Sequence, residues 1–280
     1  MKTCLDCIPC FLNQALRAAR IATDDEQKIK TLLDEVGVML RTIPLENSPP
    51  ESARLIYQKI SAITGNPDPY SKIKRQSTQK ALSLYPALKN SVDNATDRLL
   101  TAIRIAIAGN VIDFGANWNF DLDNEIERIF EKDFAVYDYD KFRDRLGKAQ
   151  EILYIGDNAG ECVFDRVLIE EMKKPVIYAV RGAPIINDAT YEDAMEAGID
   201  KVATILSSGA DGPGAILETC SSEFKEVYNN AELIISKGQG NYEALSSERR
   251  PIFFLLIAKC HVIANDIGIN MGDIILKGNG

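Results

Sequence analysis

The chain has 280 residues, of which 46% are hydrophobic and 26% charged, a composition typical of a globular protein with one large core or two unequal ones. Its formal net charge of -9 and pI near 4.9 argue against a nucleic-acid partner, because binding to a phosphate backbone usually needs a basic surface. No apolar stretch approaches the roughly 18 to 20 residues that cross a bilayer, and the start "MKTCLDCIPC" lacks the order of a secretory signal. We therefore expect a cytoplasmic protein that binds a small ligand and has no membrane partner.

The first half of the chain has a helical pattern. From Cys4 to about Arg104, apolar residues recur at intervals of three and four, as on the buried face of a helix. Prolines and glycines interrupt this pattern, for example in "SPP" and "GNPDPY". The pattern predicts an α-helical N-terminal domain over residues 1–130.

The second half alternates short apolar runs with helices. The runs are "EILYI", "PVIYAV", "KVATIL", "AELIIS" and "IFFLLIA", and helices are expected at Cys162 to Met172 and Tyr191 to Ala197. Such runs are typical of parallel strands that are buried on both faces. The pattern predicts an α/β domain over residues 131–280, with a doubly wound, mostly parallel sheet. Residues 131–150 are expected to form a helical connector.

Polar residues cluster directly after the first predicted strand. Asp157 and Asn158 offer a carboxylate and an amide oxygen, which suit Mg²⁺ or Mn²⁺ better than softer metals. Asp188 follows about one βαβ unit later, so it returns to the same sheet edge if the two strands are neighbours. Asp157 or Asn158 could equally cap the helix that begins near Gly160, and Glu161 suits the first turn of a helix. Metal binding and helix capping both remain open, and they are compatible.

The loop after the fourth predicted strand carries a lysine followed by two glycines. Backbone N–H groups near Gly238 and Gly240, together with the Lys237 ammonium, could surround a phosphate. The order differs from that of a P-loop, in which the lysine follows the glycines. A solvated lysine in a glycine turn is the alternative.

Polar residues also follow the last apolar helix of the first half. Asn110, Asp113 and Asn117 accompany the end of this helix, and a cleft-facing role for Asn110 and Asp113 is the alternative.

The N-terminal cysteines and the single histidine are ambiguous. Cys4, Cys7 and Cys10 could hold zinc or an iron–sulfur cluster if another ligand joined them, and a structural role is the alternative. His261 stands in an apolar run and is expected to lie in the core.

Taken in order, five segments resemble those of the damage-control phosphatase family, metal-dependent phosphatases whose eukaryotic relatives are also described as acidic-residue methyltransferases. The segments are "CLDCIPC", "GNVIDFG", "GDNAGE", "IIND" and "KGQGNYE", and they span nearly the whole chain. The cysteine-bearing N-terminus is similar to that of the prokaryotic and archaeal branch. The resemblance implies an α/β domain that carries a helical N-terminal domain, with the active site between them.

The resemblance also implies an activity and the residues that perform it. The activity is hydrolysis of phosphomonoesters of small metabolites, such as sugar phosphates or damaged phosphorylated metabolites. Asp157, Asn158 and Asp188 would hold one divalent cation, either Mn²⁺, Mg²⁺, Co²⁺ or Ni²⁺, and would form the catalytic set together with Lys237. Lys237 would bind the substrate phosphate, and three further residues would line the same cleft: Asn110, Glu161 and Asn241.

Two other functions remain open from the sequence. One is a carboxyl methyltransferase that uses S-adenosylmethionine, since an acidic loop after a first strand can hold a ribose. The other is a non-enzymatic metal-binding module built on the N-terminal cysteines. For a phosphatase, the nucleophile would be either water activated by the cation or a carboxylate. The physiological substrate, the preferred cation and the oligomeric state are not specified by the sequence.

Overall fold

The structure of the chain is a computed structural model that describes residues 1–110 and 132–279. The candidate residues Asp113 and Asn117 lie outside the described residues, as does most of the segment "GNVIDFG". Within the described ranges the helices are α1 (Cys7–Ala22), α2 (Glu26–Leu40), α3 (Pro49–Thr64), α4 (Ser71–Asp93), α5 (Arg98–Gly109), α6 (Tyr139–Lys148), α7 (Cys162–Met172), α8 (Tyr191–Glu196), α9 (Ser222–Asn230), α10 (Gly238–Leu245) and α11 (His261–Ile267). The strands are β1 (Phe134–Tyr137), β2 (Ile152–Ile155), β3 (Val176–Val180), β4 (Thr204–Ser207), β5 (Leu233–Lys237), β6 (Ile252–Ile257) and β7 (Ile274–Gly278).

Polar side chains fix the beginnings of three N-terminal helices. Asp25 accepts hydrogen bonds from the first turn of α2, and Asp97 does the same for α5. Ser48 and Glu51 form a capping box at the start of α3, where two prolines replace N–H groups that would have no helical partner. These caps explain why the apolar pattern of residues 4–104 folds into several helices with defined starts.

The N-terminal helices divide their apolar faces between two cores. Helices α1 to α3 share a core of their own, to which Phe11, Leu32 and Ile56 contribute. Helices α4 and α5 instead join the core beneath the sheet, and α5 packs closely on α7. A Cβ atom on Gly109 would lie 2.9 Å from Phe164 Cβ, which shows how closely these two helices approach. The proposed domain boundary at residue 130 stays a prediction.

The strands form one sheet in the order β1-β7-β6-β5-β2-β3-β4. All neighbouring strands are parallel except β6 and β7, which are antiparallel. The predicted mostly parallel α/β fold is therefore confirmed. All five predicted strands are present, although β4 lies at the edge of the sheet and is partly exposed, so it is not buried on both faces.

The expectation of a helical connector over residues 131–150 is wrong in its first part. Residues Phe134–Tyr137 form strand β1, which pairs with β7, and only Tyr139–Lys148 is helical. The four residues of this strand are all apolar or aromatic and directly precede a helix, and periodicity alone does not distinguish so short a run from part of that helix. His261 is also exposed, contrary to expectation, because β6 already ends at Ile257 and the next helix starts at His261.

Helices cover both faces of the sheet. Strands are added to one side of β2 first and then to the other, so the order of strands reverses beside β2. On one face Tyr154 belongs to the core with α5 and α7, and on the other Ile155 packs with α9, α10 and α11. Strand β2 pairs with β3 on one side and with β5 on the other. The loops after β2, β3 and β5 therefore all begin at the carboxyl ends of neighbouring parallel strands. This place is a topological switch point, where α/β proteins bind ligands.

Candidate active site

The loop after β2 lies against the loop after β3. Two backbone hydrogen bonds of 2.8 and 2.9 Å join residues 157–159 to residues 187–189, and Asn158 and Asp188 face each other in an antiparallel bridge. This pairing is possible because β2 and β3 are parallel neighbours, so their carboxyl ends meet at one edge. The structure therefore brings Asp157, Asn158 and Asp188 together.

Two asparagine side chains join the carboxylates of Asp157 and Glu161. Asn110 Nδ2 donates to Asp157 Oδ2 and to Glu161 Oε2, both at 3.1 Å. Asn158 Nδ2 donates to the same two oxygens at 3.1 and 3.0 Å. Asn110 Oδ1 is a buried acceptor with no partner in the described part of the chain. An unpaired buried oxygen beside two carboxylates suits a ligand that brings positive charge or a hydrogen-bond donor.

Lys237 is completely buried, and each of its three N–H donors has an acceptor. Its Nζ lies 2.7 Å from Ala106 O, 2.5 Å from Glu161 Oε1 and 2.6 Å from Asp165 Oδ1. Burial alone would lower the pKa of Lys237, but the charges of Asp165 and Glu161 outweigh it and raise the pKa. Phosphate binding by Lys237 stays a prediction, and a phosphate at this ammonium would have to replace one of the three acceptors.

Asp165 belongs to the site but was not among the residues predicted from the sequence. It lies in α7 with its side chain fully buried, and it accepts hydrogen bonds from Tyr154 Oη at 2.7 Å and Tyr178 Oη at 2.8 Å. Burial raises the pKa of Asp165 to about 6, although the charge of Lys237 opposes this shift. The sequence signal was an acid inside the apolar segment "CVFDRVLI", since a buried acid normally has a specific partner.

Arg181 is the second site residue that was not predicted. Its Nε donates to Asp188 Oδ2 at 2.7 Å, and its Nη2 donates to Asn241 Oδ1 at 3.1 Å. The same Nη2 lies 3.8 Å from Asp157 Oδ1, and the side chain is only 1% exposed. The available signal was a charged residue directly after an apolar strand, at the edge where ligands bind. Arg181 thus contacts both candidate aspartate ligands.

The side chain of Asn241 forms hydrogen bonds with three other segments of the chain. Its Nδ2 donates to Gly156 O at 3.0 Å and to Lys237 O at 2.7 Å, while its Oδ1 also accepts from Ala215 N at 2.9 Å. These bonds align the carboxyl ends of β2 and β5. The predicted contact between Asn241 and substrate stays a prediction.

The site carries more negative than positive charge. Burial raises the pKa of Asp157 well above its ordinary value, and the charges of Asp188 and Glu161 add to this effect. Burial likewise raises the pKa of Asp188, although Arg181 opposes the shift. The buried charged residues connected by these hydrogen bonds and ion pairs are four acids and two bases: Asp157, Glu161, Asp165 and Asp188, with Arg181 and Lys237. Full ionisation would leave two excess negative charges, which one divalent cation would neutralise. The oxygen donors present fit such an ion.

Cysteine-based metal binding receives no support from the geometry. Cys4 Sγ lies 3.6 Å from Cys7 Sγ, whereas Cys10 is exposed and its Sγ accepts from Gln14 Nε2. Across residues 1–110 and 132–279, no three His, Cys, Asp or Glu side chains are arranged to hold a metal ion. The ligands expected at the carboxyl ends of the strands are two carboxylates and the amide oxygen of Asn158, so they are not a set of three His, Cys, Asp or Glu side chains. The second metal site at the three cysteines stays a prediction.

The fold and the site together define an α/β protein with an anionic, oxygen-rich ligand site at the switch point of its sheet. The family model of the damage-control phosphatase ARMT1-like domain matches residues 3–275. The chain belongs to this family.

Individual relatives are similar over nearly the whole chain. A damage-control phosphatase of Archaeoglobus fulgidus is 34% identical over 97% of both chains. A damage-control phosphatase of Pyrococcus horikoshii is 34% identical over 100% of this chain and 99% of that protein. The fold is also similar to the crystal structure of a DUF89 family protein from Pyrococcus horikoshii. The alignment covers 100% of both chains, with a TM-score of 0.92 and 34% identity. The family resemblance seen in the sequence is thus confirmed.

Proposed function

We propose that the protein is a divalent-metal-dependent phosphatase that hydrolyses phosphomonoesters of small or damaged phosphorylated metabolites. The observation that carries this proposal is the convergence of Asp157, Asn158 and Asp188 at the switch point, in a buried site where acidic side chains outnumber basic ones. Membership of the damage-control phosphatase family and the names of the archaeal relatives support the reaction class.

The proposed cation ligands are Asp157, Asn158 and Asp188. A bound Mg²⁺, Mn²⁺, Co²⁺ or Ni²⁺ would polarise the phosphoryl group and neutralise its charge. The Oδ1 atom of Asn110, which has no partner among the described residues, is a further polar group at the same place.

The protein's own side chains orient these ligands and exclude water. The amide N–H groups of Asn110 and Asn158 hold Asp157 and Glu161 in place. Glu161 and Asn110 would face the substrate, and Lys237 would contribute its charge to the phosphate by exchanging one of its carboxylate partners. Because these side chains are almost completely buried, electrostatic interactions with a phosphate are stronger than in water.

Two adjoining cavities offer space for the rest of a small substrate. A polar cleft of about 750 Å³ has Arg181, Lys74 and Thr190 in its wall. It meets a smaller cavity of about 390 Å³ at Pro184, whose lining is richer in apolar side chains such as Ile60. Volumes of this size suit a metabolite.

A cytoplasmic location and the absence of nucleic-acid and membrane partners stay part of the proposal. The described cysteines are all free thiols, as in a reducing compartment. Within the described ranges, no helix has the length and apolar character needed to span a membrane.

The direct test is a screen of phosphorylated metabolites for phosphate release with Mg²⁺, Mn²⁺, Co²⁺ or Ni²⁺, against a chelated control. Asp157→Asn should reduce the rate roughly a hundredfold or more, because it removes a charged ligand without changing its shape. Asp138→Asn is the matched control, since Asp138 pairs with Lys141 and accepts from Gly278 N, outside the ligand set and outside both cavities. A wild-type rate in Asp157→Asn, or no release with any ester, would contradict the proposal. Calorimetric titration with S-adenosylmethionine tests the methyltransferase alternative.

A further inference from the structure

The Nη1 atom of Arg181 carries two N–H groups that have no hydrogen-bond partner among the described residues. Its Nε is bonded to Asp188 and its Nη2 to Asn241, but its Nη1 is buried without a partner in the described part of the chain. An unpaired N–H on a buried guanidinium is costly, and native proteins usually satisfy such a group with a ligand or water. Arg181 is therefore prepared to bind an acceptor that the described residues do not supply.

Lys237 differs from Arg181 in this respect. Its ammonium has three donors, and Ala106 O, Glu161 and Asp165 accept all of them. A phosphate that bound Lys237 would displace one of these acceptors and leave it buried. A phosphate that bound Arg181 Nη1 would displace no hydrogen-bond acceptor of the described residues.

Arg181 lies beside the proposed cation ligands, so a phosphate that contacts the cation could also contact Arg181. One guanidinium contacts Asp188 through Nε and approaches Asp157 Oδ1 to 3.8 Å through Nη2. The side chain also belongs to the wall of the polar cleft of about 750 Å³. Arg181 thus stands where the proposed cation ligands meet the space for the substrate.

We propose that Arg181 is a substrate-binding residue whose Nη1 donates to a phosphoryl oxygen. Asp188 and Asn241 hold the other two nitrogens, so the planar guanidinium is already oriented before the phosphate arrives. This inference rests on the proposed phosphatase function, and it assigns the direct phosphate contact to a residue that the family resemblance did not indicate.

The test compares Arg181→Lys with wild type, using inorganic phosphate as the probe and calorimetry on protein saturated with Mn²⁺. The lysine keeps the positive charge and can still pair with Asp188, but it cannot donate to Asp188, Asn241 and phosphate in the same fixed geometry. Phosphate affinity should fall about ten- to a hundredfold, since one charge-assisted contact is lost. Mn²⁺ affinity, measured without phosphate, should change by less than about threefold if Asp188 keeps a cationic partner.

Arg250→Lys is the matched control. Arg250 is partly buried and donates to two backbone carbonyls. Its Nε also has no partner among the described residues, but Arg250 lies away from the site, before strand β6. The Arg250→Lys protein should bind phosphate with the same affinity as wild type. An Arg181→Lys protein that binds phosphate within twofold of wild type would overturn the inference, as would a loss of Mn²⁺ affinity as large as the loss of phosphate affinity.

A crystal structure of the wild-type protein with Mn²⁺ and phosphate gives a decision even if Arg181→Lys does not fold. A phosphate oxygen within hydrogen-bond distance of Nη1 would support the inference, and a phosphate held without Arg181 would refute it. Failure of the proposed phosphatase function can be distinguished from failure of the Arg181 inference, because wild-type protein would then release no phosphate from any ester. If wild-type protein also fails to bind inorganic phosphate, both proposals fall.

Discussion

Gly238 approaches Asp157 so closely that no side chain fits between them. A Cβ atom on Gly238 would lie 1.9 Å from Asp157 Oδ2, and the φ angle of Gly238 is +76°, in the left-handed region that favours glycine. Helix α10 begins at Gly238, so the contact sets the first turn of this helix against the carboxylate. Gly238 therefore lets the ends of β2 and β5 form one site.

Gly238→Ala should displace Asp157 and weaken Mn²⁺ binding about tenfold or more, because the new methyl group occupies the position of the carboxylate. Gly268→Ala is the matched control: Gly268 has a φ of +81°, but nothing lies within 4 Å of its added Cβ. Both variants carry backbone strain, and only the first carries the clash. Calorimetric Mn²⁺ affinities that are equal in the two variants would show that the contact has no role in the site.

Asp165→Asn should destabilise the protein by about 3–5 kcal/mol at pH 7.5, because it removes one of two anionic partners of the fully buried Lys237. Tyr154→Phe removes one hydrogen bond to the same carboxylate and should cost about 1–2 kcal/mol. Urea denaturation of both variants measures the free energy of unfolding. A loss below about 1 kcal/mol in Asp165→Asn would mean that Lys237 does not depend on this charge.

The affinity for a divalent cation should fall as the pH falls from 8 to 5. An ordinary aspartate, with a pKa near 3.9, would be ionised over this whole range. The pKa values of Asp157 and Asp188 are raised, so protons begin to occupy these carboxylates at a higher pH and compete with the cation. Calorimetry in buffers of different ionisation enthalpy would detect the protons released on binding. A constant affinity without proton release would contradict the assignment of both aspartates as ligands.

Glu243 should make the protein less stable as the pH rises. Burial raises the pKa of Glu243 to about 7, although Gln239 and the N-terminal amino group oppose the shift. The folded state therefore holds this proton more tightly than the unfolded state, where the pKa is near 4.5. The stabilisation is complete below about pH 4.5 and is lost as the pH rises through about 7.

Glu243→Gln removes this titration and should reduce the loss of stability between pH 5 and 8 by about 2 kcal/mol, a value that allows for partial exposure of the side chain. Glu151→Gln, at an exposed position, is the control. Thermal or urea unfolding at several pH values measures the effect. Identical pH profiles for wild type and Glu243→Gln would exclude the proposed titration.

The local sequence was sufficient for the main elements of the fold. Strand β2 consists of four consecutive buried residues, and the helix Cys162–Met172 begins and ends where the sequence predicts. Strand β1 was missed because its four residues are all apolar or aromatic and directly precede a helix, so the sequence shows no alternation that separates the strand from that helix. The spacing between Asp157 and Asp188 predicted their convergence, since a βαβ unit returns the chain to the same edge when its strands are neighbours.

The sequence by itself determined which residues could serve chemistry at the sheet edge, because strand runs and the polar residues that end them are local patterns. Only the tertiary structure decided which of these residues already have partners. Lys237 lies 72 positions from Asp165, and Arg181 lies 60 positions from Asn241. No local pattern therefore shows that Lys237 uses every donor, whereas Arg181 Nη1 has no partner among residues 1–110 and 132–279. The physical reason is that hydrogen-bond satisfaction depends on distances between strands and helices that are brought together only when the sheet forms.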